Sequence, residues 1–376
     1  MLLLLGNARF RCARPDQFLR EAMRVALDTN PLHVTQAGVS RYVRGLLHGL
    51  EQARPAGCQW TPLAWPVDNF AYTQPQRALK TAFRELVWAN FKAPRSIRRA
   101  GAGLFHATSA FPIRVPRGTK RVVTLYDLAL LRHPERFRRW QLFSGRRLLR
   151  RLAEADRVIT ISQFTADEAM ALLGLPARKL SPVLLGWDAA EAKESADAIP
   201  AGLPGEFYLF VGSLEPGKNL ALLREVWSLA GQSGRPLPPL LIVGARWAGV
   251  PGEGAPPPDW HYLGHVPDAQ LAALYRRALA LIFPSKYEGF GLPVLEAMGR
   301  GCPVLCSRVA SLPEVGGDAA WWCELNAASY LAALCECAIN GPARERCVQA
   351  GPARAAQFSW RKCAEETASV YRAINE

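Results

Sequence analysis

The sequence predicts an α/β fold made of two domains that face each other across a cleft. Three observations predict it: strand-like and helical runs alternate almost throughout the 376 residues, the alternation breaks once near residue 190, and a second alternating series follows the break. Alternation of this kind gives parallel sheets covered by helices on both faces. The cleft between two such domains is the default place for a ligand.

The first series of strands begins at Met23, in MRVALD, and continues with GLFHATS, KRVVTLYD, DRVITIS and LSPVLLG. Helical patterns follow Gly38 and Ser162, and serine is a favoured helix N-cap. We therefore expect an N-terminal domain over residues 23–190, preceded by an extension over residues 1–22. The apolar run in that extension is too short for a signal peptide, and no basic n-region precedes it.

The break after the first series is rich in Ala, Pro and Gly and has no apolar periodicity, which indicates a linker over residues 191–205. The strands FYLFVGS, PLLIVG, WHYLGHV, LALIFPS and CPVLCS follow it, with helical runs between most of them. They predict a C-terminal domain over residues 206–355. A final helix over residues 356–376 could pack on either domain.

Positive charge is concentrated in the first half of the chain. Residues 1–190 contain 30 Lys and Arg against 13 Asp and Glu, a net charge of +17, whereas residues 191–376 contain 16 against 19, a net charge of −3. An excess of this size predicts an anionic partner for the N-terminal domain. No helix-turn-helix, zinc finger or RNA-binding aromatic signature accompanies the charge, so a nucleic acid is disfavoured as that partner.

Two basic stretches carry aromatic residues. LRHPERFRRWQLFSGRRLLRRLAEADR holds nine arginines, and LKTAFRELVWANFKAPRSIRR places Phe83, Val87 and Phe91 at i, i+4 and i+8. Basic helices with aromatic faces are typical of membrane-surface elements, although ordinary solvated helix faces explain the same pattern. We expect a cytoplasmic protein that lies peripherally on the anionic inner membrane face; no apolar run approaches the ~20 residues of a spanning helix.

Two acids, Glu288 and Glu296, flank a Gly-Phe-Gly loop that opens into a short helix, in PSKYEGFGLPVLEAM. The loop follows the strand LALIFPS, and ligands of parallel sheets bind beyond the carboxyl ends of strands. We expect the N–H groups of Phe290, Gly291 and Leu292 to point into the cleft, where they suit phosphate or sugar oxygens. Spacing alone favours a plainer interpretation, a turn residue and a solvated helix residue, because acids and glycines are common in loops.

A second loop follows the strand FYLFVGS. Gly212 and Ser213 end the strand, and Lys218 precedes the next helix in LEPGKN. A lysine near a helix N-terminus is suited to a departing diphosphate. Taken alone, the loop is better explained by a solvated surface lysine.

In this order, VGSLEPGKN, PSKYEGFGLPVLEAM, GCPVLCS and SLPEVGGDAA resemble the C-terminal half of retaining glycosyltransferases of family 4, whose GT-B fold has two facing Rossmann-like domains. QAGVSRYVRGLL and ADRVITISQFTADE are similar, more loosely, to the N-terminal half. The resemblance implies that Glu288 contacts the hydroxyls of a donor sugar, Glu296 the ribose and Lys218 the diphosphate, with the loop amides between them.

The chain departs from the usual pattern of that family at several positions. Gly217 stands where an arginine commonly precedes the lysine, so one fixed charge on the diphosphate is missing unless another basic residue supplies it. Tyr126 replaces the histidine of a common HDL motif. The double glycine before the first helix is reduced to Gly38, because Ala37 stands in the first place.

Three further residues of the N-terminal half are candidates for the acceptor side. Gly38 would let the first loop approach the phosphates or the acceptor. His106 closes a predicted strand and is a candidate acceptor contact, with a packing role as the equal alternative. Tyr126 shares its strand end with Asp127, which we expect to orient the acceptor and assign to the catalytic group with Glu288 and Lys218.

The function implied is the transfer of a hexose, mannose or a related deoxyhexose, from a GDP- or dTDP-sugar to a glycan or lipid-linked oligosaccharide in cell-surface polysaccharide synthesis, such as that of lipopolysaccharide. We expect no cofactor and no metal, because the chain has no D-x-D motif and a lysine with helix N-termini can stabilise a leaving diphosphate. Two alternatives remain: a catalytically weak sugar-nucleotide-binding protein of the same fold, and an epimerase or phosphorylase on the same scaffold.

Overall fold

The structure is a computed structural model of the chain. The residues that it describes are 23–34, 38–65, 79–80, 83–109, 113–188, 202–245 and 257–375. The predicted extension over residues 1–22 and residues 191–201 of the predicted linker lie outside these ranges. The division into domains near residue 190 therefore stays a prediction at that boundary.

The first sheet has six parallel strands among the described residues, in the order β2-β1-β3-β4-β5-β6. Its strands are β1 Met23–Asp28, β2 Cys58–Leu63, β3 Leu104–Ala107, β4 Lys120–Leu125, β5 Arg157–Thr160 and β6 Leu180–Pro182. Apart from β2, they fall on the runs that the sequence predicts.

The second sheet also has six parallel strands within the described ranges, in the order β12-β11-β10-β7-β8-β9. Its strands are β7 Tyr208–Val211, β8 Leu240–Val243, β9 Trp260–Gly264, β10 Leu281–Phe283, β11 Val304–Ser307 and β12 Trp321–Cys323. Every residue of β7, β8, β10 and β11 is buried, as expected for parallel strands with helices on both faces. Together the two sheets confirm the predicted fold class.

Helices cover both sheets. They are α1 Pro31–Val34, α2 Gly38–Ala53, a π-helix Arg84–Lys92, α3 Ala93–Arg99, α4 Ala129–Arg132, α5 Arg139–Arg150, α6 Gln163–Leu173, α7 Leu220–Gln232, α8 Asp268–Arg277, α9 Leu292–Gly299, α10 Leu312–Gly316, α11 Ala327–Ala338, α12 Pro342–Ala355 and α13 Trp360–Asn375. Short 3₁₀ turns lie at Pro134–Arg136, Arg151–Glu154, Ala177–Lys179, Pro216–Lys218 and Gly317–Ala319. No helix in the described ranges is long and apolar enough to cross a bilayer.

The C-terminal helix α13 crosses back and packs on α2 of the first domain. Two glycines of α2 make room for it. A Cβ at Gly45 would lie 2.1 Å from the Trp360 indole, and one at Gly49 would lie 2.0 Å from the Trp360 carbonyl oxygen. The sequence left open which domain this helix covers, and the contact with Trp360 assigns it to the first.

Candidate active site

The order of the second sheet fixes where its loops meet. With β7 counted as the first strand, the order is 3-2-1-4-5-6, in which neighbouring strands β7 and β10 send their following helices to opposite sides. This switch point opens a crevice at the carboxyl ends of the two strands. The loop after β7 carries Lys218 and the loop after β10 carries Glu288, so the topology brings the two predicted residues to the same crevice.

Lys218 and Glu288 form an ion pair there, with side chains that are 16% and 12% exposed. The ammonium also lies 5.1 Å from the centre of the Phe283 ring at the end of β10. Gly212 lies beneath the lysine, since a Cβ at that position would be 3.5 Å from Lys218 Cε. Ser213 follows Gly212 and is partly buried. The loop therefore holds the lysine close against the end of its own sheet.

Glu296 lies one helical turn beyond the loop, on α9, and is engaged on both carboxylate oxygens. Arg41 of α2 pairs with Oε1, and the Tyr275 hydroxyl donates to Oε2 at 3.0 Å. Burial, reinforced by the neighbouring carboxylate, raises the pKa of Tyr275 well above its ordinary value, so the phenol stays a donor. Arg41 also reaches Asp268 at 3.0 Å. Glu296 is thus held at the boundary between the two domains.

The loop between the two acids is held through its backbone by a left-handed glycine and by serine side chains from other segments. Gly291 has a φ of +109° and immediately precedes α9, and no side chain caps this helix end within the described residues. Ser311 donates to the carbonyl oxygens of Glu288 at 2.9 Å and Phe290 at 3.1 Å. The Phe290 ring is buried against Phe358, so only the backbone of this residue can line the crevice. Leu292 is partly buried at the first helical position.

The first domain closes the crevice through the end of β4. A Cβ at Gly289 would lie 2.2 Å from the Tyr126 carbonyl oxygen and 3.0 Å from Asp127 Cβ, so only glycine allows this approach. Ser162 caps α6 by accepting from the Thr165 N–H at 3.1 Å and donates to the Gly289 carbonyl at 2.9 Å. The loop between Glu288 and Glu296 of the second domain thus rests directly on the first domain.

Asp127 follows the end of β4 and lies beside Gly289, next to Glu288 of the ion pair. Its side chain reaches solvent, but the walls of both domains exclude much of its hydration and raise the pKa of the Asp127 carboxyl above its ordinary value. A hydrogen bond from the Ala129 N–H at 2.9 Å opposes that rise. The charge of Glu288 adds to it, whereas Arg136 and Lys218 oppose it. Asp127 therefore belongs to the same electrostatic cluster as the predicted pair.

Tyr126 and Gly38 occupy different parts of the first domain. The Tyr126 hydroxyl donates to the Thr108 carbonyl oxygen at 2.5 Å, and its ring meets Tyr42 edge to face. The hydroxyl is therefore turned into its own domain. Gly38 is exposed at the start of α2, and no atom of the described residues lies within 4 Å of a Cβ placed there. Arg41, less than one turn later, reaches Glu296 and Asp268 of the second domain, and Arg44 lies 3.9 Å from Asp268.

His106 does not face the cleft, which corrects its assignment as an acceptor contact. The side chain is fully buried, with Nδ1 2.6 Å from the Tyr371 hydroxyl and Nε2 2.8 Å from Thr124 Oγ1. Burial lowers the pKa of His106 from its ordinary 6.5 to about 3. The residue joins β3 to the C-terminal helix as a neutral packing residue. The position of His106 near the carboxyl end of a strand suggested a ligand contact, but α13 covers that face of the sheet.

Several residues that sequence reasoning missed join the two domains. The Glu314 carboxylate accepts from the N–H groups of Gln163 at 2.8 Å and Phe164 at 2.6 Å, and so caps α6 from the opposite domain. The Tyr287 hydroxyl donates to Glu168 at 3.0 Å. These contacts carry no local sequence signal, because each depends on two segments more than a hundred residues apart.

Arg136 is a further missed residue. It lies in the 3₁₀ turn after α4 and pairs with Glu215 through Nη2 at 2.5 Å and Nε at 3.2 Å. Glu215 also accepts from the Gly217 N–H at 2.8 Å and so caps the turn that carries Lys218. An arginine of the first domain therefore lies against the lysine loop of the second.

Comparison with known families agrees with this geometry. The model described as "Glycosyltransferase Family 4" matches residues 37–191, and the model described as "Glycosyl transferases group 1" matches residues 193–354. The chain belongs to glycosyltransferase family 4. The first matched segment of this glycosyltransferase carries β2 to β6 of the first sheet, with β1 before it, and the second matched segment carries the second sheet.

The similarity of this glycosyltransferase to known proteins covers nearly its whole length. The protein is 29% identical to the O-antigen chain mannosyltransferase B of Escherichia coli, over 94% of this chain and 100% of the relative. Its fold resembles that of the sucrose-phosphate synthase of Thermosynechococcus elongatus, with a TM-score of 0.69 at 19% identity over 94% of this chain and 99% of the other. Anabaena HepE, solved with UDP and glucose, gives a TM-score of 0.64 at 18% identity over 93% and 99%. These structures support the GT-B fold.

Proposed function

We propose that the protein transfers a hexose, mannose or a related deoxyhexose, from a nucleotide-sugar donor to a glycan or lipid-linked oligosaccharide, with retention of configuration and without a metal ion. The observation that carries the proposal is the Lys218–Glu288 pair at the switch point of the second sheet, near Asp127 of the first domain. A crevice with a cation, acids and a helix N-terminus fits a sugar, a diphosphate and a ribose in sequence.

Relatives support the choice of sugar. Besides the O-antigen enzyme, an MMP α-(1→4)-mannosyltransferase of Mycolicibacterium hassiacum is 36% identical over 116 residues, which are 30% of this chain and 28% of the relative. We propose mannose or a deoxyhexose carried on GDP or dTDP. The HepE structures contain UDP or UDP-glucose, so UDP-sugars belong in the same comparison.

In the proposed mechanism Lys218 stabilises the negative charge that builds on the departing diphosphate, and the N-terminus of α9 adds its free N–H groups. Glu288 accepts hydrogen bonds from hydroxyls of the donor sugar, and Glu296 accepts them from the ribose. Asp127 orients the acceptor hydroxyl from the first domain. Holding donor and acceptor in register supplies ~7–11 kcal/mol of barrier lowering in favourable cases. Attack on the face that the diphosphate leaves accounts for retention.

We further propose that α5 docks on an anionic membrane surface and brings the enzyme to a lipid-linked acceptor at the cytoplasmic face of the inner membrane. Trp140 and Phe143 of this helix are 65% and 74% exposed, and none of its residues is buried. The exposed arginines beside them are Arg139, Arg146, Arg147 and Arg150. Each basic residue near an anionic leaflet contributes ~1 kcal/mol.

The second basic stretch presents a smaller exposed aromatic face than the spacing of its residues predicts. Val87 and Phe91 of the π-helix are exposed, but Phe83 packs on Trp65 with ring centres 5.2 Å apart. Lys92 lies 5.1 Å from both of these rings. Phe83 is therefore part of a small cluster within the first domain and not of an exposed aromatic face.

A thermal-shift screen against GDP-, UDP- and dTDP-sugars tests the donor class first. We expect one base to raise the melting temperature in a concentration-dependent way, because a ligand that binds only the folded state stabilises it. NMR of the product formed from that donor then gives the anomeric configuration. Failure of every nucleotide sugar to shift the melting temperature contradicts the proposal, and an inverted product contradicts retention.

A further inference from the structure

The place of the arginine that is missing at Gly217 is occupied by another arginine. A Cβ built on Gly217 would lie 2.1 Å from Cζ of Arg136, 2.2 Å from its Nη2 and 2.5 Å from its Nη1, and these are the three nearest atoms. The guanidinium of the first domain therefore fills the space into which a side chain at position 217 would extend. Gly217 allows this approach because it has no side chain.

The Arg136 guanidinium is anchored on one side and unpaired on the other. Glu215, whose side chain is only 3% exposed, accepts from Nε and Nη2. The Arg136 side chain is 11% exposed, and its Nη1 is buried with no hydrogen-bond partner in the described part of the chain. A buried, unpaired guanidinium nitrogen is costly, so it indicates a place for an anion that the protein itself does not supply.

Arg136 lies beside the crevice already described, because its guanidinium lies against Gly217, the residue before Lys218. Arg136 and Lys218 are the two cations that lower the pKa of Asp127, against the raising effects of burial and of Glu288. The Gly217 carbonyl accepts from the Lys286 N–H at 2.8 Å, which ties the lysine loop to the loop that carries Glu288. Arg136 therefore lies against the loop of Lys218, and Lys218 is paired with Glu288.

We propose that Arg136 binds the diphosphate of the donor from the opposite domain and replaces the arginine that relatives commonly carry before the lysine. This proposal rests on the proposed function. Glu215 fixes the guanidinium through Nε and Nη2. Nη1 can therefore donate to a phosphate oxygen at little further cost in side-chain entropy. Because Lys218 and Arg136 lie on different domains, the diphosphate joins the domains when it binds.

The competing explanation gives Arg136 only a structural role, as a tie between the domains through Glu215. Calorimetric titration with the nucleoside diphosphate of the base found by thermal shift, and with the matching free nucleoside, separates the two. We expect Arg136→Ala to weaken binding of the diphosphate roughly 10- to 100-fold, as for a lost charged hydrogen bond, and to leave binding of the nucleoside unchanged. Equal weakening of both ligands, or no weakening, overturns the proposal.

Two more variants complete the test. Arg136→Lys keeps a cation but has one nitrogen, which cannot hold Glu215 and a phosphate together, so we expect a similar selective loss; wild-type affinity would overturn the proposal. The double variant Arg136→Ala/Gly217→Arg moves the arginine to the position usual in relatives, and we expect it to recover most of the diphosphate affinity. Gly217 has no positive φ that would forbid a side chain.

The control is Arg117→Ala, which removes an exposed arginine from the turn before β4 and should leave both affinities unchanged. If the wild-type protein itself binds no nucleoside diphosphate, the proposed function fails. If the wild type binds and Arg136→Ala binds equally well, only the role of Arg136 fails.

Discussion

Lys218 and Glu288 lie 70 positions apart in the chain and form an ion pair where the loops after β7 and β10 meet. The pair arises from strand order, because neighbouring strands at a switch point open their loops into one crevice. Each residue had a plainer explanation when its loop was considered alone. Their contact shows that the two loops, each a weak indication by itself, form one candidate site.

The first prediction concerns the charge of Lys218. Lys218→Met removes the cation that we propose to stabilise the departing diphosphate, and we expect kcat for transfer to fall about 10²- to 10³-fold. Steady-state kinetics with saturating donor measure the change. Lys362→Met removes an exposed lysine from α13 and serves as the control. A Lys218 variant with wild-type kcat would contradict the role given to this lysine.

A second prediction concerns the cap that one domain supplies to the other. Glu314→Gln removes the charge that faces two N–H groups at the start of α6. We expect the free energy of unfolding to fall by about 0.5–2 kcal/mol, the usual value of a helix cap. Thermal denaturation measures it, with Glu324→Gln at an exposed turn as the control. Equal stability of the two variants would show that the contact does not stabilise the fold.

The third prediction follows from the pKa of His106, which burial lowers to about 3. Well above pH 6.5 the His106 side chain is neutral in both the folded and the unfolded protein, so its full contribution to stability is present there. As the pH falls from 6.5 towards 3, His106 binds a proton only in the unfolded protein. The free energy of unfolding therefore falls by up to about 1.4 kcal/mol for each pH unit. His106→Gln has no such loss, so wild type should lose stability relative to the variant between pH 7 and pH 5.

The comparison must use the difference between the two proteins and not the wild-type curve. Burial raises the pKa of Asp28 to about 6, above its ordinary 3.8, and this gives the opposite slope between those values. Asp28 is present in both proteins, so its contribution cancels. A difference in unfolding free energy that stays constant with pH would contradict a buried neutral His106.

The fourth prediction tests the membrane surface. Trp140→Ser/Phe143→Ser removes two exposed apolar side chains from α5, and we expect binding to vesicles containing phosphatidylglycerol to weaken roughly tenfold or more. Ile339→Ser is the matched control, because Ile339 is 79% exposed but lies in the second domain. Co-sedimentation at moderate salt measures the binding. If wild type does not sediment with these vesicles, the membrane proposal is wrong.

The sequence predicted most of the fold because buried parallel strands form continuous apolar runs. It missed the edge strands β2 and β12, since CQWTPL contains polar residues and a proline, and WWC is only three residues long. It identified Lys218 and Glu288, which follow strongly apolar strands. It did not identify Arg41, Glu314 or Arg136, whose partners lie in the other domain and which form no local pattern.

We propose that Glu288 and Lys218 serve one nucleotide-sugar ligand in a transfer reaction. The most direct test is a transfer assay of wild type and Glu288→Gln side by side, with the donor chosen by thermal shift and donor affinity measured by calorimetry. We expect wild type to transfer the sugar, and the variant to fold and bind the nucleoside diphosphate while transferring at least about 100-fold more slowly. A variant that transfers as fast as wild type, or a wild type that binds donor but transfers nothing, would contradict the account.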